Sequence, residues 1–230
     1  MDLVTISENV LRDCLGAKAG EEVLIVTDDA KVSIAQALYE GAKNLGCEAM
    51  MTVMKERKLN GEEPPKAVAE AMKAADIVIC PTAKSLTHTN ARIQAVAAGT
   101  RVATMPGITE EMFSQGAMTA DYSAVAELTA KITEMLTECQ TARIEKDGCV
   151  LTLNLEGRKG VPSPGVYREA GQSGNLPSGE AYIAPLEDGV NGEMIIDGSM
   201  VGIGKLDAPL KVIIRDGKLQ KIEGDKDGKL

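Results

Sequence analysis

Apolar positions in the first 140 residues alternate between helical stripes and short unbroken runs. Leu3, Ile6, Val10 and Leu11 share one stripe of a helix over residues 1–15, with Ser7 and Glu8 off it. The run Glu22-Val23-Leu24-Ile25-Val26-Thr27, bounded by turn residues, predicts a buried strand, and Asp28 and Asp29 follow at its carboxyl end. Ile34, Ala37, Leu38, Ala42 and Leu45 then lie on one helix face over 32–45, and Gly46 stops that helix. The pattern repeats with a strand over 47–54 and a helix opened by Pro64 and Pro65 that carries Val68, Ala71, Met72 and Ala75. Strands over 77–80 and 102–104 follow. Thr109 caps a short helix with Glu110 and Glu111 in its first turn, where carboxylates meet the positive end of the helix dipole. Tyr122, Val125, Leu128, Ile132, Met135 and Cys139 trace a long helix from residue 121.

Alternating strands and helices require crossovers between parallel strands, hence a sheet covered on both faces. The fold class expected is α/β, with a doubly wound parallel-sheet domain over residues 1–140. From residue 141 the pattern changes to short β-rich runs at 142–145, 150–154, 194–196 and 211–215. Between them stand Asp147-Gly148, Glu156-Gly157, Asn191-Gly192, Asp197-Gly198 and Asp216-Gly217. Asp-Gly and Asn-Gly pairs between apolar runs are hairpin signals. Residues 141–230 are therefore expected to form a second, mostly antiparallel β domain, and the polar end 225–230 to fray.

In doubly wound folds ligands bind beyond the carboxyl ends of the strands. That rule singles out Pro81-Thr82-Ala83-Lys84-Ser85-Leu86-Thr87-His88-Thr89-Asn90, which holds the only histidine. His88 reads either as a substrate-facing acid, base or hydrogen-bonding group, or as an exposed first-turn residue of a helix capped by Ser85 or Thr87. The loop 104–108 follows the next strand and is either part of the same rim or a plain Pro-Gly turn. A third stretch has a distinct grammar. Gly171, Ser173, Gly174 and Asn175 lead into Pro177 and Gly179, which bracket a bend; Glu180 follows at once. A carboxylate held by such backbone suits a metal ligand or general base, and the plainer reading is a solvated glutamate before an edge strand.

Composition narrows the functional classes. With one Phe, four Tyr and no Trp, the core is built from Val, Ile, Leu, Met and Ala, and eleven Met make it adaptable. A net charge of -9 argues against a nucleic-acid partner and an anionic membrane surface. No apolar run approaches a membrane span, and no secretory signal is visible, so a cytoplasmic protein is expected. The five cysteines are far apart and form no zinc-type pairs, so they are expected to be reduced core thiols. The phosphate-binding loop, the His-Glu-x-x-His helix and the Gly-x-Ser-x-Gly elbow are all absent. Gly202-Ile203-Gly204 has no helix behind it and does not support a dinucleotide fold.

Thr87-His88-Thr89, the run Thr104-Met105-Pro106-Gly107-Ile108-Thr109-Glu110-Glu111-Met112-Phe113, and Asn175-Leu176-Pro177-Ser178-Gly179-Glu180 with the trailing Asn191-Gly192 resemble the aminopeptidase T type of metallo-aminopeptidase. These are the leucyl aminopeptidases of thermophilic type. The resemblance runs through the chain in the same order, and the combination is more specific than any one motif. It implies hydrolysis of the N-terminal residue of peptide substrates by a homodimer. It also implies two divalent metals such as zinc or cobalt, bridged by carboxylates, with a metal-activated water. Glu180 occupies the place of the metal-binding glutamate in the family's Asn-Leu-Pro-x-x-Glu motif. Thr87 is the expected substrate contact, and His88 would hydrogen-bond substrate or shuttle a proton. The family's other ligands, a glutamate, histidines and an aspartate, come from a C-terminal third beyond the part that residues 221–224 match. One glutamate and one histidine cannot hold two zinc ions, so these 230 residues are expected to lack a complete peptidase centre. Ring-cleaving dihydroxypyridine dioxygenases, which use mononuclear non-haem iron, resemble these aminopeptidases, and the motifs are compatible with them. A third reading is a non-catalytic module binding a small molecule or peptide, with the acidic charge suited to an amine-bearing ligand.

Overall fold

The computed structural model describes residues 2–200 and 203–224. The end expected to fray, 225–230, and Gly202 of the Gly-x-Gly lie outside the described residues. In order, the elements are α1 (Leu3–Asn9), a π-helical turn (Val10–Cys14), β1 (Glu22–Asp28), a 3-10 turn (Asp29–Lys31), α2 (Val32–Asn44) and β2 (Glu48–Met54). Next come α3 (Lys66–Ala74), β3 (Ile77–Thr82), α4 (Asn90–Ala97), β4 (Arg101–Pro106), α5 (Glu110–Ser114) and α6 (Tyr122–Glu138). The remaining strands are β5 (Thr141–Lys146), β6 (Cys149–Asn154), β7 (Val161–Ser163), β8 (Ser173–Asn175) and β9 (Glu180–Tyr182), then β10 (Val190–Ile196), β11 (Ser199–Met200), β12 (Gly204–Lys205), β13 (Leu210–Arg215) and β14 (Lys218–Glu223). No helix among the described residues is long and apolar enough to cross a membrane.

The chain divides into two compact units, one of residues 1–129 and 163–180, the other of 130–162 and 181–230. The first holds a five-stranded parallel sheet in the order β2-β1-β3-β4-β8. Its inner strands are apolar along their middles because both faces are covered, with polar residues only towards their ends. Val23, Ile25, Ile77, Ile79, Ala103 and Met105 face one core with Ile6, Leu11, Ile34, Leu38 and Phe113 from the helices. Leu24, Val26, Val78, Cys80 and Val102 face the other, with Val68 and Met72 of α3 and Ala91 and Ala95 of α4. Asp2 opens α1 by accepting the Thr5 amide at 2.9 Å. The expected single helix over 1–15 instead widens at Val10–Cys14, which carries Val10, Leu11, Cys14 and Leu15 all into the core. Arg101, buried at the start of β4, donates to the Leu15 carbonyl at 2.8 Å and pairs with Glu21 at 2.7 Å. Strands β3 and β4 each run two residues past their expected ends and include Pro81, Met105 and Pro106.

The α/β class with an antiparallel partner sheet is as expected from the sequence. The difference lies in residues 163–180. The sequence pattern places them in the β-rich half, whereas β8 joins β4 in parallel and takes the Asn-Leu-Pro-Ser-Gly-Glu stretch into the first unit. Along α6, the stripe expected to be core is exposed at Leu128 (61%) and Met135 (60%). Four cysteines are buried and Cys139 is exposed.

The second unit is built on an antiparallel sheet, β14-β13-β10-β6-β5. Two of its three expected Asp-Gly hairpins form, with positive φ at both turn residues: 50° and 75° at Asp147 and Gly148, 48° and 70° at Asp216 and Gly217; Asp197-Gly198 instead links β10 to β11, which do not pair. Asn191-Gly192 is not a turn; it lies inside β10. There Gly192 has φ +133°, and a Cβ would stand 2.1 Å from the Val150 carbonyl oxygen of the neighbouring strand. Gly192→Ala is therefore expected to destabilise the protein by about 2–4 kcal/mol. Urea unfolding followed by circular dichroism measures this, and an unchanged midpoint would contradict the close approach of β6 and β10.

Candidate functional site at the carboxyl rim of the parallel sheet

Strands β3, β4 and β8 end side by side, and their register decides which side chains meet. Cys80 pairs with Thr104, and Thr104 pairs with Asn175. The loop after β3 returns Thr87 to this point because Leu86 is fully buried in the core below it. Thr87 and Thr104 hydroxyl oxygens are 2.8 Å apart. Both donate to Asn175 Oδ1, at 2.9 and 2.7 Å. Ser85 Oγ donates to Thr87 Oγ1 at 2.9 Å and accepts the Thr87 amide at 3.1 Å. Arg92 fastens the arrangement from behind, with Nε on the Thr87 carbonyl at 2.8 Å and Nη1 on Ser173 Oγ at 3.2 Å.

An amide oxygen has two lone pairs, and here both are engaged. The Asn175 amide is thereby oriented, and its Nδ2 with two N–H donors has no partner among the described residues. Asn175 is exposed. The rim thus presents an uncharged, fixed hydrogen-bond donor to an incoming oxygen atom, the kind of group that stabilises a carbonyl or developing oxyanion.

The three site residues read from sequence fare differently. Thr87 is half-buried at the centre of the cluster. Neither Ser85 nor Thr87 caps the next helix; Thr89 does, accepting the Arg92 amide at 3.3 Å, and this leaves the Thr87 hydroxyl to the cluster. His88, next in sequence, is exposed and makes no hydrogen bond or ion pair with the described residues. Glu180 is exposed as the first residue of β9, and its carboxylate is likewise without a partner among them. The backbone leading to Glu180 is nonetheless pinned. Leu176 is buried, the Leu176–Pro177 peptide is cis, and Ser178 Oγ lies 2.8 Å from the Ser163 carbonyl. Gly179 adopts φ +148°, and a Cβ there would stand 2.8 Å from Val125 Cγ1, too close for a side chain. Thr104, Asn175 and Ser85 were not singled out by chemistry in the sequence; only the strand register brings them together.

Among the described residues no group of three or more His, Cys, Asp or Glu side chains converges as a metal site. Zinc and non-haem iron centres need about three such protein ligands. The described residues therefore do not fit a complete metal centre, and Glu180 is at most a single contributed carboxylate. A cavity of about 290 Å³ lies elsewhere in the first unit, lined by Asp13, Cys14, Met118, Tyr122 and Arg168 among others. Burial pushes the Cys14 thiol and the Tyr122 phenol up to about 12, so neither acts as nucleophile or base there at neutral pH.

Thr104→Val keeps the shape and strand preference of the side chain but removes its hydroxyl. The expected cost is about 1–2 kcal/mol of stability. In a double-mutant cycle with Asn175→Ala the two changes are expected to be coupled; strict additivity would contradict the hydrogen bond.

A sequence-family model described as "NicX: 2,5-dihydroxypyridine 5,6-dioxygenase" matches residues 2–230. A search of curated proteins finds no match. Among solved structures, the 2,5-dihydroxypyridine dioxygenase from Pseudomonas putida is similar with a TM-score of 0.80 at 17% identity, over 96% of this chain and 67% of that one. Wild-type AmpT from Thermus thermophilus is similar with a TM-score of 0.66 at 16% identity, over 98% of this chain and 72% of that one. At these identities the two structures establish a shared fold, and the aminopeptidase T likeness of the motifs is present at that level. The family match extends over nearly the whole sequence, so the chain belongs to the NicX family, whose description is that of a 2,5-dihydroxypyridine 5,6-dioxygenase.

Proposed function

We propose that the protein serves the oxidative opening of a dihydroxylated pyridine ring, with the carboxyl rim of its parallel sheet as the surface that recognises the ring's oxygen substituents. The observation that carries this reading is the family match over residues 2–230. The rim chemistry supports it. A dihydroxypyridine is a small polar ring with two oxygens and one nitrogen, and its recognition calls for directional hydrogen bonds rather than a strong field. Asn175 Nδ2 supplies donors for a ring oxygen, held in place by Thr87 and Thr104. His88, beside Thr87, is the imidazole that takes the proton of a ring hydroxyl, leaving an electron-rich oxyanion. Thr87 fixes the Asn175 amide and is the residue we assign to substrate contact. Glu180 is the one carboxylate we assign to a metal, and the described residues do not complete that centre.

Protein isolated from its own cells, with its metal retained, is the material for the test. An oxygen electrode should record oxygen consumption that depends on 2,5-dihydroxypyridine, and His88→Ala should lower the rate at least about tenfold. Release of leucine from a leucyl dipeptide, with no oxygen uptake on the pyridine, would replace this reading with the aminopeptidase one. An unchanged rate in His88→Ala would remove that side chain from the proton transfer.

A further inference from the structure

The segment that carries Thr87 and His88 is held at both ends by a loop from an earlier part of the chain. That loop, residues 55–65, joins β2 to α3. At one end of the segment Asn60 Oδ1 accepts the Ser85 amide at 2.9 Å, and the Gly61 amide donates to the Ser85 carbonyl at 2.8 Å. At the other end the Glu63 carboxylate takes the first two amides of α4. Its Oε1 accepts from Asn90 at 2.6 Å and its Oε2 from Ala91 at 3.1 Å. Between these anchors Leu86 and Thr89 are buried, and the Thr89 hydroxyl donates back to the Leu86 carbonyl at 2.7 Å. Of residues 86–89, only Thr87 and His88 stay outside the core.

The loop is braced on its own side as well. Glu62 Oε2 accepts the amides of Lys58 and Leu59 at 2.6 and 3.3 Å, which folds the loop on itself. Pro64 and Pro65 follow Glu63 directly and restrict the backbone there. The stability of α4 does not account for this clamp. Thr89 already caps the helix by accepting the Arg92 amide. Val68 and Met72 of α3 already share a core with Ala91 and Ala95 of α4. Ordering a loop to supply a second cap costs conformational entropy, and what the second cap fixes is the stretch 86–89. Arg92, one residue beyond the clamped amides, passes the same constraint to the Thr87 carbonyl and to Ser173 of β8.

We propose that Glu63 is a positioning residue for the rim. By holding the first turn of α4 it sets the direction in which His88 presents its imidazole, and it acts through His88 rather than on the ring. A carboxylate suits the place. At a helix N-terminus it meets the positive end of the dipole, and here each of its oxygens is bound by an N–H donor. The inference rests on the assignment of proton transfer to His88 made above, and it adds the group that aims that side chain.

Oxygen uptake on 2,5-dihydroxypyridine by the metal-retaining protein reads the effect. Glu63→Ala is expected to lower kcat about tenfold and to leave KM within about twofold, because Asn175 on β8 still holds the ring. Glu63→Gln keeps one acceptor oxygen and is expected to lose only about threefold. In a His88→Ala background, Glu63→Ala is expected to change kcat by less than about twofold. An unchanged kcat in the single variant, or an equal fall in both backgrounds, overturns the proposal. Should Glu63→Ala fail to fold, Glu63→Gln is compared in the two backgrounds by the same criteria. No oxygen uptake by the wild type means that the functional reading has failed, and backbone hydrogen exchange then decides on the positioning alone. The Thr87 and Thr89 amides are expected to exchange at least about tenfold faster in Glu63→Ala, with those of β3 unchanged. Unchanged exchange at Thr87, or faster exchange throughout the sheet, overturns it.

Discussion

The short parallel pairing of β8 with β4 is the constraint on which the candidate site depends. It consists of three residue pairs, from Val102 with Ser173 to Thr104 with Asn175. So few backbone hydrogen bonds contribute little net stability alone. Side chains secure them. Tyr167 is buried and donates its hydroxyl to the Asn175 carbonyl at 2.9 Å. A Cβ at residue 174 would stand 2.2 Å from that hydroxyl, so the strand tolerates only glycine there. Arg92 reaches both Ser173 and the Thr87 carbonyl, so one guanidinium sets the distance between the strand and the loop. Leu176 then closes the strand by entering the core.

The parallel sheet is legible in the sequence because the middles of β1, β3 and β4 are buried on both faces and are short apolar runs. Strand β8 is not. Ser173-Gly174-Asn175 has turn composition and no apolar alternation, and it becomes a strand only because β4 offers an open edge. The same tertiary override works in reverse at Asn191-Gly192, whose hairpin dipeptide lies inside β10 because the glycine admits the Val150 carbonyl. Asp147-Gly148 and Asp216-Gly217, where local turn chemistry and sheet agree, fold as their sequence suggests. Thr87, His88 and Glu180 stand out by motif and position. Thr104 and Asn175 need the register of a strand that carries no pattern, so their partnership is invisible before the fold is known.

The character of the rim follows from this geometry. Although the chain carries a net charge of -9, the cluster at its centre is neutral, made of three hydroxyls and an amide. Neutral groups whose lone pairs are spoken for give direction rather than attraction, which suits a polar ring whose oxygens must be placed in one orientation. The likeness to AmpT is a likeness of fold.

The orientation of the Asn175 amide is the most direct point at which to test the account. Two-dimensional proton–nitrogen NMR spectra of the protein, titrated without oxygen with 2,5-dihydroxypyridine, report that side chain separately from the backbone. The Asn175 NH2 pair and the Thr87 and His88 amides are expected to shift together and saturably, with a leucyl dipeptide leaving them in place. Saturable shifts elsewhere with an unmoved Asn175 NH2 pair, or the same shifts with the dipeptide alone, would contradict it.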